Sequence, residues 1–284
     1  MEAAISCKFH CKRLEGHWKE YWPATDPAEL TADIKERLAA ATAAWGLEGI
    51  HPLDGGVVAL TCEATRRGRP VVVKLNPRGH FDDAQLAGEG DALAFWRTTG
   101  AAADLLDQRD DGFTLLLERL QPGDTLEDTV PGLEDRLIEI GRLVARLHRA
   151  GPPPPASFIE VRDFAPSWEI PAGGEAVLTH LDLHAGNALR TVGGWKAIDP
   201  KGVRADRHAD VWALIDPLTM EDFPDDPGQA EATAERWLDL YATAAEMDLG
   251  RAREWTRIRA GAEAHEVHDS GWGAALHRMA DVLG

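Results

Sequence analysis

The spacing of apolar and polar positions changes period several times along the chain. Residues 26–46 predict a helix: Asp26-Pro27 is a cap and first-turn pair, and Leu30, Ile34 and Leu38 share one face. Residues 57–65 and 70–75 are β-rich runs, and Arg66-Arg67-Gly68-Arg69 between them reads as a hairpin turn. Residues 82–98 return to helix. Residues 113–120 form an apolar strand that stops at Pro122-Gly123. Residues 133–150 carry a strong helical stripe of Leu137, Ile140, Leu143, Val144 and Leu147. Pro152 to Pro155 is a stiff extended connector. Short strands follow at 176–179 and 195–198, and residues 187–190 can pair with the latter across Val192-Gly193-Gly194. From about residue 209 onward the pattern is helical.

This order predicts an α+β chain in two parts. Residues 1–120 hold an N-terminal extension and a strand-rich part; residues 121–284 are mostly helical. A cleft between two such parts is a natural small-molecule site. The chain has 284 residues, enough for a core in each part. It has no apolar run of the ~18 residues a membrane helix needs, and residues 1–21 lack the apolar stretch of a signal peptide. With three cysteines, a cytoplasmic protein without disulfides is expected.

Charge narrows the partners. The formal net charge is -18, which argues against nucleic acid, since neutralising phosphates needs clustered Lys and Arg. Residues 206–239 contain ten acidic residues against Arg207 and Arg236. They would favour a small cation if they line a cleft; the same charge also serves solubility.

The chemistry-bearing residues come in a telling order. Asp182 and Asn187 have the D-x-x-x-x-N spacing of a kinase catalytic loop, where the Asp meets the substrate hydroxyl and the Asn takes a metal. Asp199, at the end of an apolar strand, is a second Mg²⁺-binding candidate. Lys74 closes the apolar run Val71-Val72-Val73, where a lysine is costly unless paired or used. Glu89 on the next helix is its candidate partner. Glu118 and Leu120 stand where adenine would meet backbone groups, and Gly55-Gly56 is a candidate phosphate-covering turn. Each member has a plainer reading: an edge-strand lysine, a solvated glutamate, a simple turn. It is the ordered set that points to phosphoryl transfer. There is no G-x-x-x-x-G-K-[ST], so a P-loop kinase is excluded on motif grounds.

The segment Val177-Leu178-Thr179-His180-Leu181-Asp182-Leu183-His184-Ala185-Gly186-Asn187 resembles the catalytic loop of aminoglycoside phosphotransferases. Its continuation Trp195-Lys196-Ala197-Ile198-Asp199-Pro200-Lys201-Gly202-Val203 is similar to the streptomycin 6-kinase, or aminoglycoside/hydroxyurea antibiotic-resistance kinase, branch. Val72-Val73-Lys74-Leu75, residues 115–123 and Arg146-Leu147-His148 also fit, so the resemblance runs from about residue 45 to the C-terminus. It implies a protein-kinase-like two-lobe fold using ATP and Mg²⁺. By position, Asp182 would be the catalytic base or orienting group, Asn187 and Asp199 would bind Mg²⁺, Lys74 would hold the α/β-phosphates, and Glu89 would pair with Lys74. The resemblance and the acidic stretch together make a cationic antibiotic the expected acceptor, with Asp206, Asp210, Asp216 and Lys201 as candidate substrate residues, and a monomer or weak dimer is expected. Three departures stand out. The family usually has Gly at Leu181 and an aromatic residue at His208, and it carries more helical sequence before Thr179.

Other readings stay open on sequence alone. On a strand, His180, Asp182 and His184 would face one side and ligate the metal of a hydrolase. A kinase of another small metabolite or a silent binding module would share most of the pattern. Cys7, His10, Cys11 and His17 have a spacing that suits zinc; a loosely packed extension is the plainer reading.

Overall fold

The computed structural model describes residues 26–53, 58–79, 83–267 and 270–284. It divides into two compact units. One holds the chain up to Ala94 and Ala103–Leu120; the other holds Phe95–Ala102 and Gln121–Gly284.

In the first unit, helix α1 (Pro27–Trp45) starts where the Asp26 carboxylate accepts the Ala28 N–H at 2.9 Å, and it ends at left-handed Gly46. Strands β1 (Leu47–Pro52), β2 (Leu60–Arg66) and β3 (Arg69–Leu75) follow, then helix α2 (Asp83–Trp96), β4 (Leu105–Arg109) and β5 (Thr114–Glu118). They form an antiparallel sheet in the order β1-β2-β3-β5-β4. Arg67 and Gly68 both have positive φ, and Arg66 pairs with Arg69, so the β2–β3 hairpin is a two-residue turn. One sheet face packs Val71, Val73, Leu75 and Leu116 against Leu30, Ile34, Ala41 and Trp45 of α1. Buried Arg37 of α1 clamps the sheet's end, donating to the carbonyls of Phe113 (3.0 Å) and Asn76 (2.7 Å). Alternation turns Lys74 and Leu115 to the opposite face. There α2 comes so close at Gly90 that a Cβ would stand 2.9 Å from Leu115 Cδ2.

After Phe95–Ala102, the second unit continues with β6 (Pro122–Thr125), α3 (Leu126–Thr129) and the long α4 (Leu133–His148). Then come β7 (Ile159–Glu160), α5 (Val161–Phe164), β8 (Ala176–Thr179), β9 (Ala188–Thr191), β10 (Gly194–Ala197) and β11 (Val203–Asp206). The chain ends in α6 (Pro217–Glu221), α7 (Pro227–Ala244), α8 (Leu249–Glu266) and α9 (Gly271–Leu283). The strands make two small sheets, β10-β9-β6 and β7-β11-β8. Gly141 lets α4 lie against α7, since a Cβ there would meet Tyr241 O at 2.9 Å. The expected helical stretch after residue 209 is present. Strands β1, β4, β6, β7 and β11 carried no clear period in the sequence. They are short or exposed, and β6, β7 and β11 pair with strands distant in the chain. Among the described residues, no helix is long and apolar enough to cross a membrane.

Candidate active site

The residues of the second unit expected to carry kinase chemistry are brought together by strand register. In the β9–β10 hairpin Ala188 pairs with Ala197. One step further, the Ile198 N–H donates to Asn187 O at 3.0 Å. Asn187 therefore lies opposite Ile198, next to Asp199. Asp199 has φ 60°, a left-handed conformation that Asp tolerates better than most residues. The Asn187 Nδ2 donates to Asp182 O at 2.9 Å, which ties the loop's end to its beginning and leaves the amide oxygen as the atom able to face a cation.

Asp182 is held by a buried frame. Thr179 ends β8 opposite Val203 of β11, and its hydroxyl donates to Val203 O at 2.7 Å. The next two N–H groups, of His180 and Leu181, donate to the Asp210 carboxylate at 3.0 and 2.7 Å. His148, at the end of α4, meets the same carboxylate at 2.9 Å. Burial alone would raise the Asp210 pKa; the His148 ring, nearby His180 and the Leu181 N–H outweigh it and hold it below the ordinary value. Tyr241 also donates to Asp210 O. His180 donates through Nε2 to Ile198 O at 2.9 Å and accepts the Asp182 N–H at Nδ1. Burial pushes its pKa down, so the ring stays neutral, the form that can both give and take a hydrogen bond. Trp96 stacks on it, with centroids 6.2 Å apart.

Leu181, where the family usually has Gly, has φ 60°. The left-handed strain costs a non-glycine residue roughly 1–2 kcal/mol. Burying the leucine side chain offsets it, at roughly 1.5–3 kcal/mol. The Leu181 carbonyl accepts from Arg259 of α8 at 3.1 Å, and the Arg259 guanidinium lies 4.9 Å from both the Trp168 and the Trp212 ring centroids.

This geometry removes the metal-hydrolase reading. His180, Asp182 and His184 do not alternate on a strand, because β8 ends at Thr179 and residues 185–187 form a 3₁₀ turn. Both histidines are spent on backbone: His180 as above, and His184 accepting the Gly186 N–H at 3.1 Å. Among the described residues, no three His, Cys, Asp or Glu converge as a metal site. Asn187 and Asp199 do suit a metal such as Mg²⁺, which takes few protein ligands and fills its shell with water and phosphate oxygens.

In the first unit, Lys74 Nζ lies 2.8 Å from Glu89 Oε2, and both side chains are buried. Asn76 donates to the same oxygen at 3.1 Å. Glu118 is committed within the sheet: its N–H donates to Asp104 O, and its carboxylate accepts the Asp104 N–H at 2.8 Å. Leu120 is buried. Gly55-Gly56 and the Cys7, His10, Cys11 and His17 set lie outside the described residues.

The acidic stretch is not arranged as its composition suggests. Asp206, Asp210 and Asp216 are buried, whereas Glu221, Asp222, Asp225, Asp226, Glu231 and Asp239 are exposed. Asp206 accepts from Trp255 at 2.9 Å, from Arg251 and from the His208 ring at 2.8 Å. Despite burial, these donors hold its pKa at about 2. Asp216 caps α6, accepting from Leu218 and Thr219. The expectation that these three meet the substrate gains nothing from their placement. Lys201 is different: its Nζ is 3.4 Å from Asp182 Oδ2.

Sequence reasoning missed Asp210 and His148 as the frame of the loop. The one signal was a histidine on the apolar stripe of α4. It also missed Glu263, one turn beyond Arg259 and 4.0 Å from it. Burial raises the Glu263 pKa, with Arg259 opposing and Asp182 adding to the rise. Nothing in a lone helical glutamate marks it.

A family model described as aminoglycoside/hydroxyurea antibiotic resistance kinase matches residues 49–168 and 170–271. A streptomycin 6-kinase of Streptomyces griseus is 28% identical, the match covering 76% of each chain. The fold is similar to the choline kinase LicA of Streptococcus pneumoniae (TM-score 0.56, 14% identity, 88% of this chain and 98% of that one). It is also similar to the macrolide 2'-phosphotransferase MphH of Brachybacterium faecium (TM-score 0.52, 18% identity, 89% and 98%). With a loop that presents Asp182, Asn187 and Asp199 on a kinase-like fold, the chain belongs to the aminoglycoside/hydroxyurea antibiotic resistance kinase family and is a phosphotransferase that acts on a hydroxyl group.

Proposed function

We propose that this kinase uses ATP and Mg²⁺ in the cytoplasm to phosphorylate a hydroxyl of a cationic, streptomycin-like antibiotic, and so confers resistance. The observation that carries the chemistry is the clamped loop. Asp210 fixes the backbone on the N-terminal side of Asp182, and Asn187 fixes its carbonyl, so a partly exposed carboxylate is held ready to orient a hydroxyl. In this reading Asp182 accepts the hydroxyl proton. Asn187 and Asp199 hold Mg²⁺, which when bound neutralises charge on the phosphates. Lys74, aligned by Glu89, takes phosphate oxygens.

The cationic acceptor rests on the streptomycin 6-kinase relative and on Glu263. Among the described residues, the one side-chain partner of its carboxylate is Arg259 at 4.0 Å, which leaves it able to accept from an ammonium or guanidinium. ADP release measured with streptomycin, other aminoglycosides and neutral sugars tests the proposal. Turnover is expected with a cationic acceptor. Phosphorylation of a neutral sugar or nucleoside alone would overturn the substrate assignment and leave the phosphotransferase intact.

A further inference from the structure

We infer that Lys201 is a catalytic residue: its ammonium, paired with Asp182, stabilises the negative charge of the phosphoryl group in flight. The inference rests on the reading of Asp182 as the group that orients the hydroxyl.

Three observations carry it. The first is how firmly Lys201 is placed. Its N–H donates to His180 O at 3.0 Å. Asp199 and Gly202 on either side are both left-handed, with φ 60° and 64°. Pro200 is buried, and Val203 enters the sheet opposite Thr179. The turn from 199 to 202 is thus fixed at both ends to the loop that carries Asp182.

The second is that stability does not explain the pair. Nζ and Oδ2 are 3.4 Å apart, with the side chains 33% and 24% exposed. A solvent-facing pair of this kind contributes on the order of 0–1 kcal/mol to folding. So much backbone constraint for so small a return points to a use other than folding.

The third is local charge. Phosphoryl transfer needs cations where charge develops. The loop from Leu183 to Asn187 has no Lys or Arg, and His184 is engaged with the Gly186 N–H. Arg259 is 3% exposed and donates to the carbonyls of Leu181 and Ala209, so a ligand cannot use it. Of the described residues, Lys201 is the one cationic side chain that ion-pairs with Asp182 and also reaches solvent.

In the step itself, the acceptor oxygen bonds to the γ-phosphorus as the bond from that phosphorus to the β–γ bridging oxygen breaks. ADP leaves with that electron pair. The hydroxyl proton passes to the Asp182 carboxylate, and Lys201 keeps its proton throughout. Its ammonium offsets the negative charge shared by the carboxylate and the phosphoryl oxygens.

The test is steady-state kinetics of Lys201→Ala, Lys201→Gln and Lys201→Arg beside Asp182→Asn, with thermal melts to confirm folding. Lys201→Ala and Lys201→Gln are expected to lower kcat about 100-fold or more. KM for ATP should stay within about threefold, and Lys201→Arg should recover much of the rate. A kcat within about threefold of wild type in both neutral variants overturns the inference, as does a loss confined to the acceptor KM. Undiminished activity in Asp182→Asn overturns it too, by removing its premise. Acceptor-free ATP hydrolysis separates this from the substrate question. Water then takes the hydroxyl's place, so the same fractional loss is expected even if no antibiotic is accepted, and retention of full hydrolysis by Lys201→Ala sinks the idea.

Discussion

Two regions of the second unit, the loop at 180–187 and the stretch beginning at Asp206, both carry carboxylates and set them in opposite surroundings. The Asp182 side chain is 24% exposed, while Asp210 and Asp206 are 1% and 5% exposed. The difference lies in what surrounds each carboxylate. Asp210 and Asp206 are ringed by donors: two backbone N–H groups and His148 for the first; Trp255, Arg251 and His208 for the second. They are parts of a scaffold. Asp182 has its main chain fully engaged, while its carboxylate is partly open to solvent and meets only the Lys201 ammonium among the described residues. A buried carboxylate with all its donors supplied by the protein has nothing left to offer a ligand.

That contrast can be broken experimentally, and Asp210 is the place to press hardest. Asp210→Ala leaves the His180 and Leu181 N–H groups and the His148 ring without an acceptor. Urea unfolding should show a loss of about 3–5 kcal/mol. Residual kcat should also fall, because the backbone leading to Asp182 is unpinned. A variant as stable as wild type would show that the frame is not what holds the loop.

Asp206 gives the next largest effect, and it is read by pH. Its folded pKa of about 2 lies below the ordinary 3.8, so its contribution is fully present above 3.8 and is lost as pH falls through about 2. At about 1.4 kcal/mol per pKa unit, that gap corresponds to about 2 kcal/mol. Melts from pH 5 to pH 2 should show this loss in wild type and a flatter profile in Asp206→Asn. Equal slopes would mean that the donors around Asp206 do not favour its charge.

Glu263 sharpens the contrast from the other side, as a carboxylate near the loop with little internal support. Glu263→Gln is expected to raise KM for a cationic acceptor about tenfold with kcat little changed, the mark of lost ground-state binding. An unchanged KM would remove Glu263 from the substrate's surroundings.

Much of the candidate site was legible beforehand. Asp182, Asn187 and Asp199 lie within one short stretch, where spacing and strand pattern carry the information. Lys74 stood out as a charge inside an apolar run, and Glu89 is its partner in the structure. The burial of Asp206, Asp210 and Asp216 was not legible, because composition counts charges without saying which way they face. His208 shows the same limit. It departs from the family's usual aromatic residue, and the structure puts its ring on the Asp206 carboxylate and accepts the Asp248 N–H on its other nitrogen. Leu181 is legible only in retrospect, since a left-handed φ leaves no trace in a residue that normally avoids it.

By itself the sequence determined the longer helices and the central strands, the reaction class and the candidate residues for it, because these depend on local periodicity and on short spacings. Tertiary structure decided which carboxylates are ringed by donors and which stay open to solvent. Asp210 lies 30 residues from the His180 N–H it accepts, and His148 lies 62 residues from Asp210. A charge's role is set by the donors that fold around it, and those come from parts of the chain that no local pattern connects.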